Sequence, residues 1–261
     1  MRRSADSGSG VTDYPARIAS ETLTPAAQLL DQVYATETVE AEDGTTVPAF
    51  PTSIPRNHAD ELIRLVRDMV LTRTIETGMA YGISTLAIGS VHQERGEGTH
   101  IAIDPVQSAD FGAIGILNLR RAGLEDRVRV MEERADAALP RLRAEDVRLD
   151  FGFIDGRHLF DYALLDFFYI DSMLDVGGVV VFHDTWHAGV AEVAAYVSAN
   201  RAYETLKTAV HGLGVLRKVA EDDRQGWFHT DFRRGARRPT LRHALRTLPA
   251  QARRRLRQRR P

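Results

Sequence analysis

The sequence has no cysteine among its 261 residues. Disulfide bonds, thiolate-bound metals and cysteine nucleophiles are therefore excluded. It also has no apolar run close to the roughly 20 residues that a membrane-spanning helix needs. The arginines at the start of the chain have no hydrophobic segment behind them, so we expect no secretory signal and a cytoplasmic protein.

Lysine is nearly missing, because Lys207 and Lys218 are the only lysines among 34 basic residues. The charge is also unevenly distributed. Residues 232–261 hold twelve arginines and no acidic residue, which leaves 22 basic residues against 36 acidic ones in residues 1–231. The formal net charge of -2 therefore hides an acidic body and a basic tail.

The composition divides the chain into three segments. Residues 1–22 are rich in Ser, Gly, Asp and Thr without any period, and we predict that they are disordered. Residues 23–231 have the apolar content of a single domain with leading helices. Residues 232–261 form an Arg-rich tail with leucines near helical spacing.

Several explanations of the tail stay open. It is a disordered, solvated segment, or a basic amphipathic helix that contacts an anionic membrane surface. It could also fold on the acidic body of its own chain or of a partner in a homo-oligomer. A contact with nucleic acid ranks last, because the body has no basic groove and no RNA-binding motif.

Two helices are predicted before the first long strand, over Leu23–Thr36 and His58–Met69, with a proline-containing loop over residues 37–56 between them. The second helix has an apolar face at helical spacing. That face contains Leu62, Leu65, Val66 and Met69.

Beyond residue 70, β-branched apolar runs alternate with helical patterns. Strands are predicted up to Ile75 and over Thr99–Ile103, Arg127–Met131, Leu149–Ile154, Val179–Phe182, Tyr203–Thr208 and Gly214–Val219. The alternation predicts an α/β, Rossmann-like, doubly wound and mostly parallel seven-stranded sheet. The last two runs are close enough to pair as an antiparallel edge hairpin.

The segment from Thr72 to Thr85, TRTIETGMAYGIST, has the pattern of strand, glycine turn and helix. Gly78 and Gly82 allow a tight turn against which a ligand can lie on bare backbone, and the helix start offers free amide groups. The carboxylate of Glu76 distinguishes this turn from a dinucleotide-binding fingerprint, because it would repel a pyrophosphate and suits a ligand with an ammonium group.

Ionisable residues follow every predicted parallel strand, where open α/β sheets bind ligands. Asp104 could accept ribose hydroxyls or could only form an Asp-Pro turn. Asp155 and Asp184 should converge as oxygen ligands of a divalent cation. His158 has the chemistry of a general base near neutral pH, or is a turn histidine. His183 is a further ligand or a core histidine.

His92 and His100 flank a loop of glycine and glutamate residues. From this polar surrounding we expect both imidazoles to be solvated.

Four motifs together resemble a known family: ETGMAYGIST, IAIDP, LDFGFIDGRH and GGVVVFHDT. Their order and spacing resemble the class I S-adenosylmethionine (SAM)-dependent O-methyltransferases, and most of all the metal-dependent catechol O-methyltransferase-like and macrolide-sugar O-methyltransferase-like set. The resemblance covers about residues 55–219. It implies methyl transfer from SAM to a hydroxyl of a small molecule of sugar or phenol type.

The resemblance also implies roles for single residues. It implies that SAM is bound by Glu76, Gly78, Ala80, Tyr81, Gly82, Ser84, Asp104, Ala135, Asp136 and Asp155. It implies catalysis by His158 with Asp155, and Mg²⁺ held by Asp155, Asp184 and His183. The sugar-modifying relatives commonly have an acidic residue where this chain has His183. The catechol-type relatives have an amide where this chain has Thr185, so a third carboxylate ligand is missing and a metal could also be absent.

Two other functions stay open at this point. The domain could bind SAM or another nucleoside without catalysis, or could methylate RNA with the help of the tail. The acceptor cannot be read from the sequence. Trp227, Phe228 and Phe232 could form a wall for a flat or sugar-like acceptor, or could seal the edge of the sheet.

Overall fold

The computed structural model of this protein describes residues 23–224. The predicted N-terminal segment, the Arg-rich tail and the aromatic residues at 227, 228 and 232 lie outside the described residues. The domain boundaries at 22 and 231 therefore stay predictions. Within residues 23–224, none of the helices has the length and apolar character needed to cross a membrane.

Seven helices and nine strands make up this part of the chain. The helices are α1 (Pro25–Thr36), α2 (Arg56–Asp68), α3 (Ile83–Arg95), α4 (Ile114–Arg121), α5 (Ala135–Ala144), α6 (Phe160–Met173) and α7 (Ala188–Asn200). The strands are β1 (Thr38–Glu40), β2 (Thr46–Pro48), β3 (Arg73–Thr77), β4 (Thr99–Ile103), β5 (Val128–Met131), β6 (Leu149–Ile154), β7 (Leu174–Phe182), β8 (Tyr203–Thr205) and β9 (Gly214–Lys218).

The main sheet has seven strands in the order β5-β4-β3-β6-β7-β9-β8. Strand β3 pairs in parallel with β4 on one side and with β6 on the other, while β9 runs antiparallel to β7 and β8. The predicted fold class is therefore confirmed. Chain order reverses between β3 and β6, and such a switch point opens a crevice at the carboxyl ends of the strands.

Helices cover both faces of the sheet, which explains the continuous apolar run of β7. Val179 and Val181 point into the core under α1 to α4, whereas Val180 and Phe182 point into the core under α5 to α7. All four side chains are fully buried. The alternation fixes the register of β7, because a slip by one residue would exchange the two faces.

Three predictions of the elements are wrong. Strand β8 ends at Thr205 and not at Thr208. Residues 37–56 contain the hairpin β1–β2, in which Val39 pairs with Val47, and Gly44 provides the positive φ of 84° in its turn. Strand β7 begins at Leu174, five residues before the predicted start at Val179, and runs through two glycines. A Cβ at Gly178 would lie 2.9 Å from the carbonyl oxygen of Asp150, so this glycine permits close strand contact.

The expectation that His92 and His100 are solvated is also wrong. Both side chains are buried, on α3 and on β4, and they meet at the hydroxyl of Thr74 on β3. The hydroxyl oxygen lies 2.9 Å from Nε2 of His92 and 2.8 Å from Nδ1 of His100. Burial lowers the pKa of His92 to about 4. Both histidines therefore belong to the sheet–helix packing.

Lys218 anchors the edge hairpin to the rest of the sheet. Its ammonium group is buried and donates hydrogen bonds to the carbonyl oxygens of Asp171 and Leu174, at 3.0 and 2.9 Å. The carboxylate of Asp171 lies 3.6 Å away and balances the charge. A buried amine is tolerated only with such partners.

Candidate functional site

A cavity of about 620 Å³ opens at the switch point between β3 and β6. This volume falls in the range that is typical of small-molecule and cofactor sites. The cavity brings together ten of the residues singled out from the sequence. These are Gly78, Ala80, Ser84, Asp104, Ala135, Asp136, Asp155, His158, His183 and Asp184.

The glycine turn after β3 forms one wall of the cavity. Gly78 has a φ of +88°, and a Cβ there would lie 2.3 Å from the carbonyl oxygen of Asp155. The turn therefore approaches the end of β6 backbone to backbone, which only glycine permits. Gly82 has a φ of +80° and starts α3, where it packs against the backbone of Gly115.

Asp104 holds this turn from the neighbouring strand β4. Its Oδ2 accepts hydrogen bonds from the amides of Met79 and Ala80 at 3.0 and 2.8 Å, and its Oδ1 accepts one from the amide of Val106 at 3.0 Å. The buried carboxylate is thus balanced by three backbone amides. It both shapes the turn and lines the cavity.

Three residues assigned to SAM binding lie outside the lining of the cavity. Glu76 is fully buried behind the turn, where it accepts a hydrogen bond from Thr85 and lies 3.3 Å from Nε2 of His100. The carboxylate of Glu76 therefore lies behind the turn, whereas the sequence suggested that it faces the ammonium group of a ligand. Tyr81 packs edge-on against Phe111, and Gly82 serves the start of α3.

Four side chains at the ends of β6 and β7 form a cluster of acids and imidazoles. Asp155, His158, His183 and Asp184 each offer a ligand atom, and these atoms lie within 4.8 Å of one another. Nδ1 of His183 is 2.6 Å from Oδ1 of Asp155 and 3.1 Å from Oδ1 of Asp184. Nε2 of His158 is 3.4 Å from Asp155 and 3.2 Å from Asp184.

This cluster fits a divalent cation. Oδ1 of Asp184 is buried and accepts no hydrogen bond within the described part of the chain, so it is an orphaned acceptor aimed at the cluster. Burial raises the pKa of Asp184, and the carboxylate of Asp155 adds to the increase. Carboxylate oxygens and imidazole nitrogens are common ligands of dications. Of the two substitutes for a third carboxylate, His183 belongs to the cluster and lines the cavity, whereas Thr185 is not among the residues that line it.

His158 lies where a base is expected. A hydrogen bond to Asp155 raises the pKa of His158 despite its partial burial, and the charges of Asp155 and Asp184 act in the same direction. Its ring stacks on His187 with centroids 4.7 Å apart. The two carboxylates therefore favour an imidazolium at this position.

Sequence reasoning missed three residues that matter here. His58 on α2 contacts His183, with 2.8 Å between its Nδ1 and Nε2 of His183. Asp166 on α6 lines the cavity, and its Oδ1 has no hydrogen-bond partner within residues 23–224; burial raises its pKa to about 7. Trp186 lines the cavity beside His183. Of these three residues, only His58 could have been found from the sequence, because it lies one turn before Leu62 on the apolar face of α2.

Residues 75–185 match the model of a family described as a methyltransferase domain. This part of the chain is similar to the methyltransferase domains of that family. Caffeoyl-CoA O-methyltransferase from Populus kitakamiensis is 28% identical over 150 residues, a match that covers 54% of this chain and 58% of that protein. The chain thus spans little more than half of that curated relative. The resemblance to class I SAM-dependent O-methyltransferases is confirmed.

Solved structures of O-methyltransferases share the fold of this chain. An O-methyltransferase from Bacillus cereus in complex with SAH matches with a TM-score of 0.57 at 17% identity, over 78% of this chain and 93% of that one. TomG, an O-methyltransferase of tomaymycin synthesis from Streptomyces achromogenes, is in complex with SAM and matches with a TM-score of 0.57 at 16% identity, over 78% and 93% of the two chains.

Proposed function

We propose that this chain transfers the methyl group of SAM to a hydroxyl oxygen of a small molecule. One observation carries the proposal: the glycine turn and the cluster of Asp155, His158, His183 and Asp184 line the same cavity. A binding site for SAM and a site for proton removal would thus lie side by side. The O-methyltransferases among the similar proteins support the same reaction.

SAM would lie along the glycine turn. Its methionine portion would lie against the bare backbone of Gly78 and Ala80, and its ribose near Asp104. The adenine would lie near Ala135 and Asp136 at the start of α5, all of which line the cavity. Holding the two substrates in line supplies a large part of the lowering of the barrier in such a displacement.

His158 would take the hydroxyl proton. The bond between the methyl carbon and the sulfonium sulfur breaks as the bond to the acceptor oxygen forms, and the proton passes to Nε2 of His158. The carboxylates at 3.4 and 3.2 Å stabilise the imidazolium that results. A divalent cation such as Mg²⁺, when bound by Asp155, Asp184 and His183, supplies charge that lowers the pKa of a hydroxyl.

Trp186 favours a flat, phenol-type acceptor over a sugar. Its indole is half exposed and lines the cavity beside His183, with ring centroids 5.9 Å apart. Gly212 leaves room for it, because a Cβ there would lie 2.1 Å from the indole. The name of the Populus relative, caffeoyl-CoA O-methyltransferase, places phenolic compounds first in an acceptor screen.

The test is calorimetric titration of SAM, followed by a methyl-transfer assay with phenols and then sugars. His158→Gln should lower turnover by about 10²- to 10⁴-fold, as expected for loss of a general base, and leave the affinity for SAM unchanged. Absence of SAM binding by the wild type would refute the proposal. Undiminished turnover of the variant would refute the role of His158.

A further inference from the structure

We propose that Asp166 binds the adenine of SAM, with its carboxyl group paired to the 6-amino group and an adjacent ring nitrogen of the base. The inference rests on the proposed function, because it assigns a further binding residue to the same cavity. It concerns a polar recess formed by Thr77 at the end of β3, Gly156 just after β6 and Asp166 on α6. All three residues line the cavity.

The recess contains two buried polar groups that lack partners. Asp166 is 3% exposed and Thr77 is 2% exposed. Oδ1 of Asp166 and Oγ1 of Thr77 have no hydrogen-bond partner within residues 23–224. Native proteins rarely leave buried polar groups unpaired, because the loss of hydration is then not compensated. A ligand that brings its own polar atoms into the recess would remove this cost.

Gly156 keeps the recess open. A Cβ at Gly156 would lie 3.5 Å from Oδ2 of Asp166 and 3.6 Å from Oγ1 of Thr77. The carboxyl group and the hydroxyl group therefore flank the same point on the bare backbone of Gly156. A side chain at this position would occupy the space beside both groups, which glycine leaves free for a ligand.

The recess lies at the end of the cavity that we assign to the adenine. Tyr162 lies one turn before Asp166 on the same face of α6, and both line the cavity. The guanidinium group of Arg134 lies over the ring of Tyr162, 5.9 Å from its centroid. Because Arg134 directly precedes α5, this face of α6 is next to Ala135 and Asp136, where the adenine would lie.

A protonated carboxyl group matches an edge of adenine. Burial raises the pKa of Asp166 to about 7, so the protonated form is well populated near neutral pH. This form has an O–H donor and a carbonyl acceptor side by side. Adenine presents an amino donor next to the acceptor N7. Two hydrogen bonds can therefore form at once, as they do between adenine and the amide group of an asparagine.

The first experiment changes the ligand and needs no variant. Calorimetry compares S-adenosylhomocysteine (SAH), the demethylated form of SAM, with an SAH analogue that has hydrogen in place of the 6-amino group. We expect the wild type to bind the analogue about 5- to 100-fold more weakly, which is the usual discrimination of a paired base edge. Equal affinities would overturn the inference, because the amino group would then have no partner in the site.

Three variants assign that loss to Asp166. Asp166→Ala should weaken SAH binding by a similar factor but affect the analogue much less, because the analogue already lacks half of the pair. Asp166→Asn keeps a donor beside an acceptor and should stay within a few-fold of the wild type. Asp161→Ala removes an exposed carboxylate from the same helix, and as the matched control it should equal the wild type.

Gly156→Ala closes the recess without strain, because its Cβ would make only ordinary contacts. It should weaken SAH binding by about tenfold, since the base loses both hydrogen bonds, and leave the midpoint of thermal unfolding unchanged. Full SAH affinity in Asp166→Ala or in Gly156→Ala would overturn this inference alone. Absence of SAH binding by the wild type would instead refute the proposed function, and the inference with it.

Discussion

Replacing Gly78 with alanine tests the central contact of the site. Gly78 closes the glycine turn at a φ of +88°, and a Cβ there would lie 2.3 Å from the carbonyl oxygen of Asp155. Gly96, at the end of α3, has a similar φ of +73° and nothing within 4 Å of its Cβ position. The pair Gly78→Ala and Gly96→Ala therefore shares the backbone strain and differs in the steric clash.

The structure allows the loss of stability and of turnover to be estimated for both variants. A left-handed alanine costs about 1–2 kcal/mol at either position. At Gly78 the contact must open from 2.3 Å to at least 3.4 Å, a shift of about 1 Å between the turn and the end of β6. Overpacking of this kind costs about 1–3 kcal/mol more. A displacement of about 1 Å in an active site can lower turnover by about 100-fold.

Thermal unfolding and calorimetry with SAM measure both effects. We expect Gly96→Ala to lower the midpoint by about 2–8 °C, at about 2–4 °C per kcal/mol, with unchanged SAM affinity. Gly78→Ala should lower the midpoint further and weaken SAM binding at least about tenfold, because the turn moves as a unit. Equal midpoints and equal SAM affinities for the two variants would refute the claim that close backbone approach requires Gly78.

Three further outcomes are expected. Burial raises the pKa of Asp166 to about 7, so the folded state keeps a proton that the unfolded chain releases, and stability falls as pH rises from about 4 to 7. Urea unfolding of Asp166→Asn should lack this fall. A pH slope equal to that of the wild type would contradict this role of Asp166. His92 has a pKa lowered to about 4, mainly by burial, so stability is lost as pH falls from about 6.5 to 4, and His92→Gln should lose less over that range. Trp186→Ala should raise the KM for a phenolic acceptor by about 2- to 10-fold at constant SAM affinity, whereas an unchanged KM would argue against the aromatic wall.

The fold could be predicted because each element has a local signal. Strands such as β7 are apolar runs buried on both faces, and the rule that ligands bind at the carboxyl ends of strands pointed to Asp104, Asp155 and Asp184. The edge hairpin was visible as two short runs close in sequence. These features depend on neighbours within a few residues, which a single sequence displays.

What could not be predicted depends on partners that are far apart in the chain. His100 lies in a predicted strand but next to a polar loop, which suggests a solvated ring, whereas β4 places that ring beside Thr74 and 3.3 Å from Glu76. His58 looks like the polar start of an amphipathic helix, but the fold places it against His183. The side on which a strand-end residue such as Glu76 points depends on register, which short motifs do not determine.

The scarcity of lysine has a practical consequence once burial is known. Lys218 is enclosed by two carbonyl oxygens and the carboxylate of Asp171, so reagents that acylate amines cannot reach it in the folded protein. Lys207 is exposed. With no thiol in the chain and two lysines in all, a dye or tether directed at side-chain amines would attach at Lys207 alone. The protein thus offers a single reactive side-chain amine without any engineering.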